Sequence, residues 1–285
     1  MSALALKQHP ADDSGLTHAD FMRLADFIYD YSGIKMPSGK KTMLEGRLRR
    51  RMRDTGYRTF RDYCDYLFEQ DGLEEEAVQL IDVVTTNKTD FFREPRHFDY
   101  LTQVLLPEFT ARGARRMRLW SSACSTGAEP YTLAMVMEDY CTRLAQMHYS
   151  ILATDLSTDV LETAVRGIYA KELLEPTPAD LRRRYVMDSV DRNRRDVRIH
   201  PSLRAKVGFA RMNLMDQRYR VGDPMDVIFC RNVLIYFDKA TQAAVLNRLC
   251  DCLVPGGHLF IGHSESILGA DLPVKQVANT VFQKI

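Results

Sequence analysis

The stretch Met117-Arg118-Leu119-Trp120-Ser121-Ser122-Ala123-Cys124-Ser125-Thr126-Gly127-Ala128-Glu129-Pro130 decides the architecture. Residues 118–123 are a short apolar run suited to a buried strand. Ser125 to Glu129 make a tight turn, and Pro130 stands in the first turn of a helix, where its missing amide costs nothing. Strand, turn and helix in that order are the opening of a βαβ unit, and the following sequence repeats the pattern. Residues 130–143 read as a helix, 149–154 as a second strand and 158–165 as the next helix, with further strands at 207–212, 226–230 and 258–261. A helix over 239–253 buries Val245, Leu246, Leu249 and Leu253 and ends in a turn at Pro255-Gly256-Gly257. Residues 274–285 suit an antiparallel edge hairpin. The fold class is α/β, with a Rossmann-like parallel sheet.

Upstream the texture is helical. Phe21, Leu24, Ala25, Ile28 and Tyr31 recur at helical spacing behind a Thr17 cap, and Gly33 with Pro37 stops the pattern. A second helix follows Ser38, with Leu44, Leu48 and Met52 as its apolar stripe, Arg49, Arg50 and Arg53 on the far side, and Gly56 at its end. From Lys35 to Arg58 nine Lys or Arg face only Glu45 and Asp54, a local balance of +7, whereas Asp62 to Asp82 holds eight acidic residues and no basic one. Such polarity suits either two solvated helix faces or a docking surface. Between Leu181 and Arg211 the α/β alternation breaks in an Arg-rich segment, with Tyr185, Val186 and Val197-Arg198-Ile199 as short strands of an inserted subdomain. The chain therefore divides into a loose tail (1–15), a small helical domain (16–84), a linker (85–98) and an α/β domain (99–285) with an insertion at about 181–206.

Composition bounds the function without naming it. Among 285 residues, 39 Lys or Arg balance 38 Asp or Glu, so the net charge of +1 gives no global argument for nucleic-acid binding. At 45% apolar and 27% charged residues the chain is globular, not disordered or fibrous. No apolar run approaches the ~18 residues of a membrane span, and the first residues lack a signal peptide's blocks, which points to the cytoplasm. The six cysteines contain no Cys-x-x-Cys pair and are expected as free thiols, with Cys250 and Cys252 packing in a helix; no structural metal is expected.

The turn after the first strand lies where doubly wound sheets bind nucleotides. It is not Gly-x-Gly-x-x-Gly, and Glu129 would repel a phosphate. Asp155, just past the second strand, stands where a carboxylate accepts from ribose hydroxyls. Glu129 and Asp155 together suit a cationic, phosphate-free nucleoside, so S-adenosylmethionine fits better than NAD. Thr85-Thr86-Asn87-Lys88-Thr89-Asp90-Phe91-Phe92-Arg93-Glu94 at the domain junction is either a binding loop or a packing strap. Asn232 and Tyr236, past the strand ending at Cys230, lie at the carboxyl edge of the sheet, where ligands sit.

Five motifs occur in one order: Thr86 to Glu94, Trp120 to Tyr131, Ala153-Thr154-Asp155-Leu156, Phe229-Cys230-Arg231-Asn232-Val233-Leu234-Ile235-Tyr236-Phe237 and Gly262-His263-Ser264-Glu265. Through them the sequence, from about Leu16 to Ile285, resembles the CheR family of chemotaxis receptor methyltransferases. The resemblance implies a Rossmann-like S-adenosylmethionine methyltransferase domain, an all-helical N-terminal domain and a small antiparallel β-subdomain. It implies methylation of glutamate side chains on the cytoplasmic helices of chemoreceptors, giving methyl esters. By the same resemblance Asn87, Thr89, Arg93, Glu129, Asp155, Asn213, Leu214, Asn232 and Val233 line the cofactor pocket, and Arg93 and Tyr236 stand at the reacting centre. Ala128 replaces the first acidic residue of the family's usual Gly-Glu-Glu-Pro. His263 and Glu265 are expected to support the fifth strand.

Arg47, Arg49, Arg50 and Arg53 correspond to the face that meets acidic receptor helices. The β-subdomain binds a receptor tail in some family members, but the loop from Asp188 to Arg195 lacks the glycines of tail-binding ones, which leaves that partner open. Neither nucleic acid nor membrane insertion is implied, and a monomer suffices. Two other readings compete: a methyltransferase with a small acceptor, and a non-catalytic regulator that binds S-adenosylmethionine or S-adenosylhomocysteine.

Overall fold

The computed structural model describes residues 15–144, 147–191, 193–267 and 271–285. The expected tail thus lies, but for Gly15, outside the described residues, as does Arg192 of the subdomain loop. Two compact units are formed, one from residues up to Asp30 with Met36–Val84, the other from Tyr31–Lys35 with Thr85–Ile285. No described helix is long and apolar enough to cross a membrane.

The first unit holds α1 (His18–Ser32, its end counted with the second unit), α2 (Lys41–Thr55), α3 (Phe60–Glu69) and α4 (Leu73–Val84). Thr17 caps α1 by accepting from the Asp20 amide at 3.1 Å, and Thr59 caps α3 by accepting from Asp62. Helix α2 buries Leu44, Leu48 and Met52 and ends at Gly56, whose φ of 85° is the left-handed conformation a helix stop requires. Its Arg51 donates to Glu76 of α4 at 2.7 Å, and Tyr63 donates to the same carboxylate at 2.8 Å. This half-buried tie holds α2, α3 and α4 together.

In the second unit α5 (Arg96–Tyr100), a π-helical turn (Leu101–Leu105) and α6 (Leu106–Ala111) run continuously into β1 (Arg116–Ser121). There follow α7 (Ala128–Leu144), β2 (His148–Asp155), α8 (Thr158–Arg166), β3 (Ile168–Ala170), α9 (Ala179–Tyr185), β4 (Val186–Asp188), β5 (Asp196–Ile199) and α10 (Pro201–Arg204). The chain closes with β6 (Val207–Arg211), β7 (Met225–Cys230), α11 (Lys239–Asp251), β8 (Leu253–Ile261), β9 (Val274–Ala278) and β10 (Val281–Lys284). The large sheet has the order β6-β2-β1-β7-β8-β10-β9, parallel from β6 to β8 and closed by the antiparallel pair β10 and β9. Alternate residues face two separate apolar layers: Leu119, Phe229 and Phe260 on one side, Trp120, Ile228 and Leu259 on the other. Each of these side chains is almost wholly buried and contributes about 1.5–3 kcal/mol.

Two expectations are corrected. Pro255-Gly256-Gly257 is not a turn outside the strand but part of β8. The β7–β8 ladder runs from Met225 opposite Leu253 to Val227 opposite His258, so three extra residues bulge out of β8, and Gly256 takes up the bend at φ 76°. Tyr185 ends helix α9 instead of lying in a strand, and the small antiparallel sheet, β3-β5-β4, recruits β3 from upstream of the expected insertion. Three residues are too few to show a strand period, which is why β3 escaped notice.

Candidate functional site

Ser121, Asp155 and Cys230 end neighbouring parallel strands, so the loops that follow converge at one edge of the sheet. At the end of β2 the Asp155 carboxylate accepts from the Ser125 amide at 2.7 Å and the Ser157 amide at 3.0 Å. The Ser125 hydroxyl donates to the Asn87 carbonyl at 2.9 Å, tying the linker to the loop after β1. Gly127, in that loop, has φ 93°, and a Cβ there would lie 2.8 Å from Ala164 Cβ and 2.9 Å from Tyr169 Oη. The turn is therefore filled by protein and leaves no glycine cradle for a pyrophosphate.

Beside it lies a buried ionic cluster. Arg231, directly after β7, donates from Nη1 to Glu129 Oε2 at 3.2 Å, from Nε to Glu94 Oε2 at 3.3 Å and from Nη2 to the Arg93 carbonyl, and Nη2 also lies 3.2 Å from Glu94 Oε2 as an ion pair. Glu129 accepts at its other oxygen from Ser121 at 2.7 Å. Glu94 accepts at Oε1 from Asn232 Nδ2 at 3.1 Å and from the His263 amide at 3.2 Å. Burial pushes the Glu94 carboxyl up, but Arg231, Asn232 and His263 outweigh it and hold it below the usual glutamate range. Burial wins at Glu129, whose carboxyl is raised against the pull of Arg231 and Ser121. One guanidinium thus serves two carboxylates, and the three groups together carry one net negative charge.

Glu94, His97 and His263 bring ligand atoms within 4.8 Å of one another, a set that could hold a metal ion. Glu94 Oε2 is already taken by Arg231, however, and a second cation there would face the guanidinium directly, so no metal role is assigned to these residues. Burial, with Arg231 second, pushes His97 down to about 4, and its ring Nε2 lies 2.8 Å from Thr280 Oγ1.

Glu265 organises the turn after β7. It accepts from the Gly262 amide at 2.6 Å, the Asn232 amide at 3.0 Å and the Leu234 amide at 2.7 Å. Its place is thus under the Asn232 loop, a more specific role than the strand support expected. Phe92, Glu94, Ser125 and Asn232 all have positive φ, between 50° and 59°. Non-glycine residues held there cost about 1–3 kcal/mol each and collect at functional sites.

Of the residues singled out by sequence, Asn87, Arg93, Glu129, Asp155 and Asn232 belong to these bonded clusters. Arg93 is half-buried, with Nη1 donating to the Lys88 carbonyl at 3.0 Å. Thr89 is half-buried in the same linker, and Tyr236 and Val233 are half-buried against the apolar layer that contains Trp120. Asn213 and Leu214 follow the edge strand β6, three strand spacings, roughly 14 Å, from the loop after β7. Asn213 donates to the Tyr31 carbonyl at 2.6 Å, while Leu214 is buried in that apolar layer. In the helical unit Arg50 and Arg53 are exposed, Arg49 lies 5.1 Å over the Phe60 ring, and Arg47 donates to the Val84 carbonyl at the end of α4. Sequence reasoning passed over Arg231, Glu94 and Ser121. A charged residue immediately after the apolar run Val227–Cys230 was the available signal for Arg231, since a buried charge demands partners.

Residues 87–282 match the model of the CheR methyltransferase SAM binding domain, and residues 19–85 that of the CheR methyltransferase all-alpha domain. The chain belongs to the CheR methyltransferase family. The chemotaxis protein methyltransferase of Escherichia coli is 40% identical over 252 residues, covering 88% of this chain and 85% of that protein. That of Borreliella burgdorferi is 35% identical over 259 residues, covering 89% and 90%, and chemotaxis protein methyltransferase 2 of Pseudomonas aeruginosa is 35% identical with 93% of both covered. The donor set agrees with the CheR cofactor. Asp155 at a strand end suits ribose hydroxyls, and a cluster of net charge −1 without a phosphate cradle suits the cationic S-adenosylmethionine.

Proposed function

We propose that this chain is a chemotaxis methyltransferase that moves a methyl group from S-adenosylmethionine to glutamate carboxylates of chemoreceptors. The observation that carries the reading is the acidic cluster at the carboxyl edge of the sheet, beside a turn with no glycine cradle for phosphate, in a chain of the CheR family. S-adenosylmethionine, when bound, supplies an electrophilic methyl group on a positively charged sulfur. Asp155 would hold its ribose and Glu129 its cationic amino-acid end, with Asn87, Thr89, Asn213, Leu214, Asn232 and Val233 completing the pocket.

An acceptor glutamate, with an unperturbed pKa of about 4.3, is already ionised at neutral pH, so the chain needs no general base. Its task is orientation, which contributes up to roughly 7–11 kcal/mol in favourable cases. Arg93 carries a charged fork and Tyr236 a neutral hydroxyl, both suited to holding an incoming carboxylate. Full neutralisation would blunt the nucleophile, so Arg93 positions the carboxylate without quenching it. The exposed Arg49, Arg50 and Arg53 suit docking to acidic receptor helices, and Arg47, bonded to the end of α4, supports that face.

Purified protein, receptor-bearing membranes and methyl-labelled S-adenosylmethionine provide the test. Label on receptor that alkali releases as volatile methanol, lost in Arg93→Ala and Tyr236→Phe variants, is the expected result. Absence of transfer to several receptors despite tight cofactor binding would shift the reading to a regulator.

A further inference from the structure

Tyr236 is assigned to the reacting centre, yet it ends a single 3-10 turn, Leu234–Tyr236, and one such turn has too few bonds of its own to fix a side chain. Within the turn the Tyr236 amide donates to the Val233 carbonyl and the Phe237 amide to the Leu234 carbonyl, each at 3.1 Å. The further support comes from one helix later. Gln242, the fourth residue of α11, donates from Nε2 to the Leu234 carbonyl at 2.8 Å and to the Phe237 carbonyl at 3.2 Å. One amide group thus ties together two carbonyls that bracket Tyr236. Its orientation is fixed by Lys239, whose ammonium donates to Gln242 Oε1 at 3.2 Å, because an ammonium has nothing to accept with and must meet the oxygen. The start of α11 is anchored to the same turn: the Asp238 carboxylate accepts from the Thr241 amide, and the Asp238 carbonyl from the Gln242 amide, both at 2.8 Å. Glu265 holds the other end of the loop through the Asn232 and Leu234 amides. The loop therefore has two supports, Glu265 beneath the residues assigned to the cofactor and Gln242 around the tyrosine.

We propose that Gln242 is a positioning residue for methyl transfer: by tying the Leu234 and Phe237 carbonyls to α11 it fixes the place of the Tyr236 hydroxyl against the acceptor carboxylate. This deepens the methyltransferase reading above and rests on it. Gln242 acts through Tyr236, so its loss falls on the step that needs the acceptor oriented and not on cofactor binding, which the other support preserves.

The test measures kcat, the receptor KM and the calorimetric affinity for S-adenosylhomocysteine in the full chain and its variants, with rates expressed per cofactor-binding site so that unfolded protein does not count. Gln242→Glu keeps the shape and the partner of Lys239 but cannot donate, and it faces two carbonyl oxygens. Its kcat is expected to fall about tenfold or more, with KM and S-adenosylhomocysteine affinity within about twofold of wild type. If Gln242→Glu does not fold, Gln242→Met, of similar shape and without charge, should show the same split with a severalfold loss of kcat. Gln242→Lys, which keeps a donor of nearly the same reach, should stay within about threefold of the wild-type kcat. An unchanged kcat in the variants without a donor, a loss of S-adenosylhomocysteine affinity as large as the loss of kcat, or a lysine variant as slow as the methionine one would each overturn the proposal. A wild-type chain that transfers no methyl group to receptor glutamates, or a Tyr236→Phe variant at the wild-type rate, would instead overturn the reading on which it rests, so the two failures are distinct.

Discussion

Replacing Glu265 tests whether the loop after β7 is held by one buried carboxylate. Its Oε2 accepts from the Asn232 and Gly262 amides and its Oε1 from the Leu234 amide, at 3.0, 2.6 and 2.7 Å. In Glu265→Gln the amide oxygen can keep the first two bonds, but the NH2 group then confronts the Leu234 N–H, a donor against a donor at a residue only 2% exposed. The lost charge-assisted bond and the orphaned amide together cost roughly 2–4 kcal/mol. Against this, burial raises the Glu265 carboxyl, so the neutral side chain recovers some desolvation, leaving about 2 kcal/mol net. Glu265→Ala orphans all three amides and should cost about 3–6 kcal/mol. For a unit of this size, 2 kcal/mol lowers Tm by roughly 4–8 °C. Urea unfolding should show the midpoint falling in the order wild type, Gln, Ala at constant m. Because Asn232 sits in the loop at φ 59°, cofactor affinity should fall in the same order. An alanine variant within about 1 kcal/mol of wild type would refute the reasoning, since three buried amides cannot lose their acceptor so cheaply.

Burial pushes His97 and His258 down to about 4 from an ordinary 6.5, so both stay neutral in the fold while the unfolded chain takes up protons below pH 6.5. Stability should therefore decline from pH 6.5 toward pH 4, by about 2 kcal/mol per histidine at pH 5, partly offset by the raised carboxyls of Glu129 and Glu265, which bind protons in the fold before they do in the unfolded chain. A flat denaturation midpoint from pH 7 to 5 would contradict this. Gly127→Ala forces a side chain at φ 93° against Ala164 and Tyr169 and should cost about 2–4 kcal/mol; a neutral effect on Tm would mean the turn is looser than its contacts indicate. Arg50→Glu with Arg53→Glu should raise the receptor KM about tenfold at low ionic strength and less at high salt, and a KM insensitive to both charge and salt would argue against docking through α2.

The parallel sheet was legible because β1, β2, β7 and the helices between them each repeat an apolar run of typical length with turn residues at its ends. The bulge in β8 was not, because Pro-Gly-Gly signals a break in the ladder equally well between strands and within one. Nor was β3, whose pairing with β5 depends on partners about thirty residues away. At the site, Glu129 and Asp155 stood out by type and place. Glu94 and Arg231 lay inside recognised motifs, yet their roles come from a pairing 137 residues apart in sequence, which no local pattern encodes. The basic face of α2 was visible as charge, but only the structure separates Arg47, bonded to the Val84 carbonyl, from Arg50 and Arg53, which face solvent.

The central claim is the chemistry of transfer, and mass-spectrometric mapping of a chemoreceptor's cytoplasmic region after incubation with the purified chain and S-adenosylmethionine tests it most directly. The account predicts a single added methylene on specific glutamates, removed by mild alkali and abolished when those glutamates are replaced by alanine. Methylation found on lysine, arginine or a small molecule instead, stable to alkali, would contradict it.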